Sequence, residues 1–155
     1  MINNDVLRSL RYALDLSDNH IVVLCELADP TFAVTTAQVH DWLKGDEQPG
    51  HQVCDDASLA HVLDGLIVHL RGRDESQPQR AVETRLDNNL ILKKLRVAFQ
   101  LRDVDMLEIF QTAGFPLSKA EVGALFRQPG HHNFRRAGDQ LMRYFLKGLV
   151  TRIRP

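Results

Sequence analysis

The chain has 155 residues, of which 44% are hydrophobic and 25% charged, a composition typical of a globular protein. No apolar run reaches about 18 residues, which argues against a membrane-spanning helix, and the first residues lack the basic and apolar regions of a secretory signal. The two cysteines, Cys25 and Cys54, are too few for a disulfide framework and fit a reducing cytoplasm.

The overall charge of −1 conceals an uneven distribution. Residues 1–85 contain seven Lys and Arg against 14 Asp and Glu, a net charge of −7, whereas residues 86–155 contain 12 against six, a net charge of +6. Two explanations are open. The halves attract each other, within one chain or between the chains of a homodimer, or the basic half binds an external anion.

Residues 1–71 begin with two predicted helices. Asn4 is expected to be the N-cap of the first, because a short side-chain acceptor satisfies an otherwise unpaired backbone N–H. The second begins near Asp18 and is ended by Asp29-Pro30. The apolar residues of the first helix recur with helical spacing: Val6, Leu7, Leu10, Ala13 and Leu14.

Two further helices and a linker follow. The third helix opens with the capping box Thr35-x-x-Gln38, in which each side chain bonds the backbone N–H of the other residue. Residues 72–86 are polar, contain proline and show no periodicity, so they predict an exposed linker. The fourth helix is the longest, and its apolar face comprises Leu59, Val62, Leu63, Leu66, Ile67 and Leu70.

Residues 87–155 repeat this pattern. Asn88-Asn89 lies 85 residues after Asn3-Asn4, so Asn89 is a second predicted N-cap, and a two-residue deletion then changes the offset to 83. Over three blocks, 16 of the 51 aligned positions are identical, and only the segment before the fourth helix aligns poorly. The capping box recurs as Ser118-x-x-Glu121.

No segment alternates apolar and polar residues with the period of a strand. The sequence therefore predicts an all-α protein made of two tandem four-helix repeats, residues 1–71 and 87–155, packed as a pseudo-twofold helical assembly.

Some shared residues are expected to have structural roles. Gly65 and Gly148 fall inside the fourth helices, where glycine costs about 1 kcal/mol relative to alanine, so another helix is expected to approach their backbone closely. Two Arg–carboxylate pairs are predicted to close the repeats: Arg11 with Asp56, and Arg96 with Asp139.

The segment 126–139 is the best candidate for a binding site. A glycine turn precedes the predicted fourth helix, with Arg135 and Arg136 at its start, and helix N-termini favour anions. Guanidinium groups suit phosphate, and Phe134 is able to stack on a base. The alternative is a solvated basic loop with Phe134 in the core. The candidate anion- or nucleic-acid-binding residues are Arg127, His131, His132, Phe134, Arg135, Arg136 and Arg143.

Several motifs carry a family resemblance. Both repeats start with Asn-Asn-x-x-Leu-x-x-Leu-Arg, and the second contains Pro129–Arg135 and Gly138–Leu149. In these features the chain resembles the YehS-like family of bacterial proteins, which usually carry two copies of a domain of unknown function. The resemblance covers essentially the whole chain and implies the tandem architecture, but no activity or catalytic residue. The first repeat departs from the basic motif, with Asp46–His51 in its place.

Three other kinds of site are poorly supported. A helix-turn-helix formed by residues 118–126 and 134–149 would need a seven-residue turn instead of three or four. A metal site at His51-x-x-Cys54 with His61 and His69 lacks a second cysteine pair and is not repeated in the second copy. Motifs for a nucleophile elbow, a phosphate loop or dinucleotide binding are missing from the sequence.

These observations predict a cytoplasmic, non-enzymatic protein without cofactor or metal. The leading hypothesis is an adaptor that binds another protein through its helices. The alternative is a nucleic-acid- or ribosome-associated protein that uses the basic second repeat.

Overall fold

A computed structural model describes residues 2–155, and this range is all-helical, with no strand. Its helices form two sets of four in the same order, which confirms the predicted fold class of tandem four-helix repeats. None of them is both long enough and apolar enough to cross a membrane. The helices are α1 Ile2–Leu14, α2 Asp18–Ala28, α3 Thr36–Leu43, α4 Asp56–Arg71, α5 Asn88–Ala98, α6 Asp103–Thr112, α7 Lys119–Leu125 and α8 Asp139–Ile153.

The repeats share the local features that begin and end their helices. The capping boxes predicted at Thr35 and Ser118 are confirmed, with both reciprocal hydrogen bonds present in each. Just beyond the first helices, Asp15 and Gln100 adopt left-handed φ angles of 54° and 53°. The N–H of the next residue then donates to a carbonyl five residues earlier in both repeats, a hydrogen bond typical of helix C-termini.

The first helix of each repeat packs against the fourth helix of the other. Helix α1 contacts α8 and α5 contacts α4, so exchanging the repeats exchanges these two interfaces, as a pseudo-twofold relation requires. The buried side chains of both repeats consequently form one continuous core, which includes Leu7, Leu63, Leu92 and Phe145.

Gly65 and Gly148 lie where two helices touch backbone to backbone. A Cβ atom at Gly65 would fall less than 3.0 Å from the carbonyl of Leu24 in α2. One at Gly148 would fall as close to the carbonyl of Ile109 in α6. The missing side chains therefore let α4 and α8 lie directly on α2 and α6.

The predicted pair between Arg11 and Asp56 is wrong. The Asp56 carboxylate instead accepts hydrogen bonds from Asn3 Nδ2 at 2.8 Å and from the backbone N–H of Leu86 at 3.0 Å. Arg11 is eight residues beyond Asn3 on α1, about 12 Å along the helix axis, which places it out of reach. The second repeat differs from the prediction in the same way: Asp139 accepts from Asn88, and Arg96 pairs with Asp103.

The chain between the repeats is exposed over residues 72–81 and is held at several points. The Gln79 side chain donates to the Ala28 carbonyl at 3.0 Å. Glu83 pairs with Lys94 at 2.8 Å, and the same ammonium group pairs with Asp64 at 2.5 Å. This cluster joins the linker, α4 and α5.

Candidate ligand-binding cleft

The loop between α3 and α4 is held by an asparagine from α1. Asn4 Nδ2 donates to the carbonyls of Trp42 and Gln52, both at 2.9 Å, and its Oδ1 accepts from the N–H of Cys54 at 3.0 Å. The residue is only 1% exposed, and its bonds to the Trp42 carbonyl and the Cys54 N–H are buried, so these two backbone groups depend on it rather than on water. The expectation that Asn4 caps α1 is therefore wrong, because its side chain is engaged in this tertiary contact.

Asn89 holds the loop between α7 and α8 in the same way. It donates to the carbonyls of Leu125 and Arg135 at 3.0 and 2.9 Å and accepts from the N–H of Ala137 at 2.9 Å. Each partner lies 83 residues after its counterpart in the first repeat. The N-cap of α5 is Asp87, whose carboxylate accepts a backbone N–H, so the expected capping by Asn89 is also wrong.

The two loops have the same pattern of backbone hydrogen bonds although their sequences align poorly. Three bonds recur at an offset of 83 residues, so the side chains of residues 44–54 and 127–137 can be compared position by position. In the first repeat, the backbone N–H groups of Gln48, His51 and Gln52 donate to the carbonyls of Gly45, Gln48 and Asp41, in that order. In the second repeat, those of His131, Phe134 and Arg135 donate to the carbonyls of Gln128, His131 and Ala124.

In the second repeat, a cleft of about 430 Å³ lies between the start of α5 and the loop that follows α7. We call it the second-repeat cleft. Apolar and cationic side chains line it together, which is the composition of a surface that holds an anionic ligand by charge and apolar contact. The apolar residues are Leu90, Phe126 and Phe134, and the cations are Arg85, Lys93 and Arg127.

The cations of the second-repeat cleft have no carboxylate partners within the described residues 2–155. No Asp or Glu oxygen lies within 4.0 Å of the charged nitrogens of Arg85, Lys93 or Arg127. The lining also includes Asp87, which accepts the backbone N–H of Leu90 as the N-cap of α5. The lining therefore contains three cations and one carboxylate.

The equivalent place in the first repeat is neutralised by the chain itself. Arg8, the counterpart of Lys93, pairs with Asp5 at 2.6 Å and with Asp46 at 3.4 Å. Its guanidinium also donates to the carbonyl of Lys44 at 3.0 Å. In the second repeat Leu90 takes the position of Asp5, and Pro129 takes the position of Asp46.

Two of the predicted site residues, Arg127 and Phe134, line the second-repeat cleft. The sequence reasoning missed Lys93 and Arg85, which belong to α5 and the linker and are distant from residue 127 along the chain. A signal for Lys93 was present, since its counterpart Arg8 lies next to an acid that the second repeat lacks.

Two other predicted arginines pair with acids. Arg135 contacts Glu121 at 3.3 Å within its own repeat. The backbone N–H of Ser118 and the Arg135 guanidinium lower the pKa of the Glu121 carboxyl, which keeps this partner ionised. Arg143 contacts Asp5 of the first repeat at 3.6 Å, so it joins the two halves.

The remaining candidates lie exposed outside the cleft. His131 and His132 stack on each other with ring centres 4.5 Å apart, and Arg136 has no carboxylate partner within residues 2–155. The prediction that Arg135 and Arg136 start the fourth helix is wrong, because α8 begins at Asp139. Asn89 holds the backbone at residues 135 and 137 and so keeps this stretch in the loop.

The cysteines and histidines do not form an evident reactive centre. Burial raises the pKa of the Cys25 thiol to about 12 and also raises that of Cys54, so both thiols are protonated at neutral pH and are poor nucleophiles. Buried His61 stacks on Phe32 with ring centres 3.6 Å apart. Within residues 2–155, no cluster of three or more His, Cys, Asp or Glu has the arrangement of a metal site.

Comparison with known proteins agrees with the two repeats. The family model described as "Protein of unknown function (DUF1456)" matches residues 3–72 and 88–154. A relative from Escherichia coli (strain K12), described as "Uncharacterized protein YehS", is 43% identical over 152 residues, which cover 98% of this chain and 96% of the relative. The resemblance drawn from the sequence motifs is thus confirmed. No solved structure matches the chain.

Proposed function

The chain belongs to the DUF1456 family, and we propose, from the geometry of its second repeat, that it is a non-enzymatic adaptor that binds another protein through the second-repeat cleft. The tandem architecture supplies two copies of one scaffold. At this site the first copy neutralises Arg8 with its own carboxylates, and the second copy leaves the equivalent Lys93 available to a partner.

The observation that carries the proposal is the convergence of Arg85, Lys93 and Arg127 on an apolar surface. A single exposed ion pair contributes only about 0–1 kcal/mol, so an isolated basic residue would not hold a partner. Several cations beside Phe126 and Phe134 combine charge with apolar burial, and arginine and phenylalanine are enriched in protein–protein interfaces.

A capture experiment with matched charge variants tests this proposal. We expect native lysate treated with nuclease to yield the same bound proteins on the wild type and on a Lys119→Glu/Lys147→Glu control, whose exposed lysines lie outside the cleft. A Lys93→Glu/Arg127→Glu variant makes the same change in net charge. It should retain these proteins at least about tenfold less, because each reversal replaces attraction by repulsion.

Quantitative mass spectrometry of the bound fractions provides the measurement, and circular dichroism checks that each variant is folded. Equal retention of the same proteins by the cleft variant and the wild type would contradict the proposal. So would a bound fraction in which no protein is enriched over the bare resin.

Nucleic-acid binding is the second candidate, and one observation favours it. Arg127 and Arg136 are exposed without carboxylate partners among residues 2–155, and they flank the exposed His131 and His132. The loop thus presents positive charge and aromatic surface together, as proteins that bind single strands do.

Gel retardation with short RNA and DNA separates the two candidates. If the adaptor proposal is correct, the wild-type protein should not retard either nucleic acid, even at low salt. Retardation that weakens steeply with salt, as counterion release requires, would instead support the nucleic-acid candidate. An Arg127→Glu/Arg136→Glu variant should then fold normally and lose it.

A further inference from the structure

We propose that the second-repeat cleft recognises an acidic peptide segment, one that presents carboxylates on both sides of an apolar side chain. This inference rests on the proposed function and names the chemistry of the partner. It is drawn from the first repeat, where the same scaffold occupies the equivalent place with its own side chains.

The first repeat shows which group this place accepts. Carboxylates reach Arg8 from two directions, Asp5 from the helix and Asp46 from the loop. His51 also lies 3.6 Å from the Asp46 carboxylate. A carboxylate carried on a peptide chain is therefore the occupant that the scaffold already accommodates.

The second repeat keeps the cations and loses these carboxylates. Lys93 and Arg127 correspond to Arg8 and Lys44, whereas the acids are replaced by apolar residues. Because the two loops share their backbone hydrogen bonds, replacing the acids changes the charge around the cleft but leaves the backbone structure of the loop the same. The cations are then free to form charge-assisted hydrogen bonds with carboxylates of an external partner, in place of the internal acids of the first repeat.

The same exchange creates the apolar part of the recognition surface. Leu90 replaces Asp5, and Phe134 replaces His51, so the cleft wall gains apolar surface at both positions. Phe126 is fixed beside them, because the guanidinium of Arg96 lies 4.6 Å from the centre of its ring. A ligand that carries charge alone would leave this surface exposed, whereas an apolar side chain between carboxylates would cover it.

The positions of the cations favour spaced carboxylates over a single phosphate. Arg85 comes from the linker, Lys93 from α5 and Arg127 from the loop after α7. Carboxylates spaced along a peptide can pair with cations in different segments, whereas a phosphate monoester concentrates its charge of about −1.5 to −2 on one group.

The test uses a fluorescein-labelled peptide, Glu-Asp-Phe-Leu-Asp-Glu, and its amide counterpart, Gln-Asn-Phe-Leu-Asn-Gln. The key variant, Leu90→Asp/Pro129→Asp, restores the acids of the first repeat and leaves every cation in place. Its matched control, Val104→Asp/Thr151→Asp, adds the same charge at exposed positions of the second repeat outside the cleft. Circular dichroism again checks folding.

Fluorescence anisotropy should show the acidic peptide binding to the wild type and the control, and at least about tenfold more weakly to Leu90→Asp/Pro129→Asp. The amide peptide should bind at least about tenfold more weakly than the acidic peptide to the wild type. Inorganic phosphate and a short single-stranded oligonucleotide, added as competitors, should displace the acidic peptide only through their ionic strength, as sodium chloride does.

Equal binding of the acidic peptide to the wild type and to Leu90→Asp/Pro129→Asp would overturn the inference. Equal binding of the two peptides, or specific displacement by phosphate or oligonucleotide, would also overturn it. If neither peptide binds but Lys93→Glu/Arg127→Glu still loses its proteins from lysate, the peptide inference fails and the adaptor proposal stands. If that variant retains the same proteins as the wild type, the adaptor proposal itself fails.

Discussion

Replacement of Gly65 by alanine is expected to lower the free energy of unfolding by at least about 3 kcal/mol, the upper end of the usual cost of overpacking. The added methyl group would overlap the backbone carbonyl of Leu24, which cannot rotate away as a side chain can. Helix α2 would have to move off α4, and the continuous core would open along this line. Urea unfolding monitored by circular dichroism gives the change directly.

Gly123 provides the matched control for this substitution. It also lies within a helix, α7, but a Cβ atom there would meet nothing within 4 Å. Alanine at this position should leave stability unchanged or raise it by up to about 1 kcal/mol, from helix propensity alone. If Gly65→Ala and Gly123→Ala unfold at the same urea concentration, α2 and α4 do not approach as closely as described.

The second large effect is expected from Asn4→Ala, which should cost about 3 kcal/mol or more. Three hydrogen bonds would be lost, each contributing about 1 kcal/mol, and the N–H of Cys54 would be left buried without an acceptor. The loop before α4 would lose its attachment to α1. The same urea titration measures this change.

Two further substitutions complete the test. The first separates the effect of the Asn4 hydrogen bonds from the effect of its size, and the second is a control at an exposed asparagine. Asn4→Asp preserves the shape but cannot donate to the carbonyls of Trp42 and Gln52, so it should destabilise the protein comparably. Asn19 is exposed on α2, and Asn19→Ala should change stability by no more than about 0.5 kcal/mol. An Asn4→Ala protein as stable as Asn19→Ala would show that the loop is held by other contacts.

The sequence predicted the elements well where local chemistry determines them. Apolar residues at helical spacing indicated both sets of helices, and the capping boxes at Thr35 and Ser118 marked two helix starts. The roles of Asn4 and Asn89 could not be predicted, because a capping side chain and a side chain that holds a distant loop need the same donor and acceptor groups. Only the positions of residues far along the chain distinguish the two roles.

The cleft was predicted only in part, because it combines elements that are separate in the sequence. Arg127 and Phe134 stood out in a basic segment, but Lys93 reads as an ordinary surface residue of α5. The decisive difference, Asp46 replaced by Pro129, lies in the loop whose sequences align poorly. The common backbone hydrogen bonds make that alignment possible, and side-chain identity alone does not.

The basic residues that make the second half of the chain positively charged serve two different purposes. Lys94 pairs with Asp64, and Arg143 with Asp5, so part of the basic excess joins the two repeats. Lys93 has no carboxylate partner within residues 2–155 and faces the cleft. Attraction between the halves and attraction of an external anion are therefore compatible, since separate side chains serve each.

The most direct test of the central claim is an NMR titration of the isotope-labelled protein with the acidic peptide, because it locates the ligand on one repeat or the other. We expect chemical-shift changes concentrated at residues 85–93 and 125–134. The equivalent first-repeat positions, residues 4–8 and 42–51, should stay unchanged, because Asp5 and Asp46 already neutralise Arg8. Changes of equal size in both repeats, or changes confined to the first, would contradict the claim that lost internal acids make the second repeat the binding site.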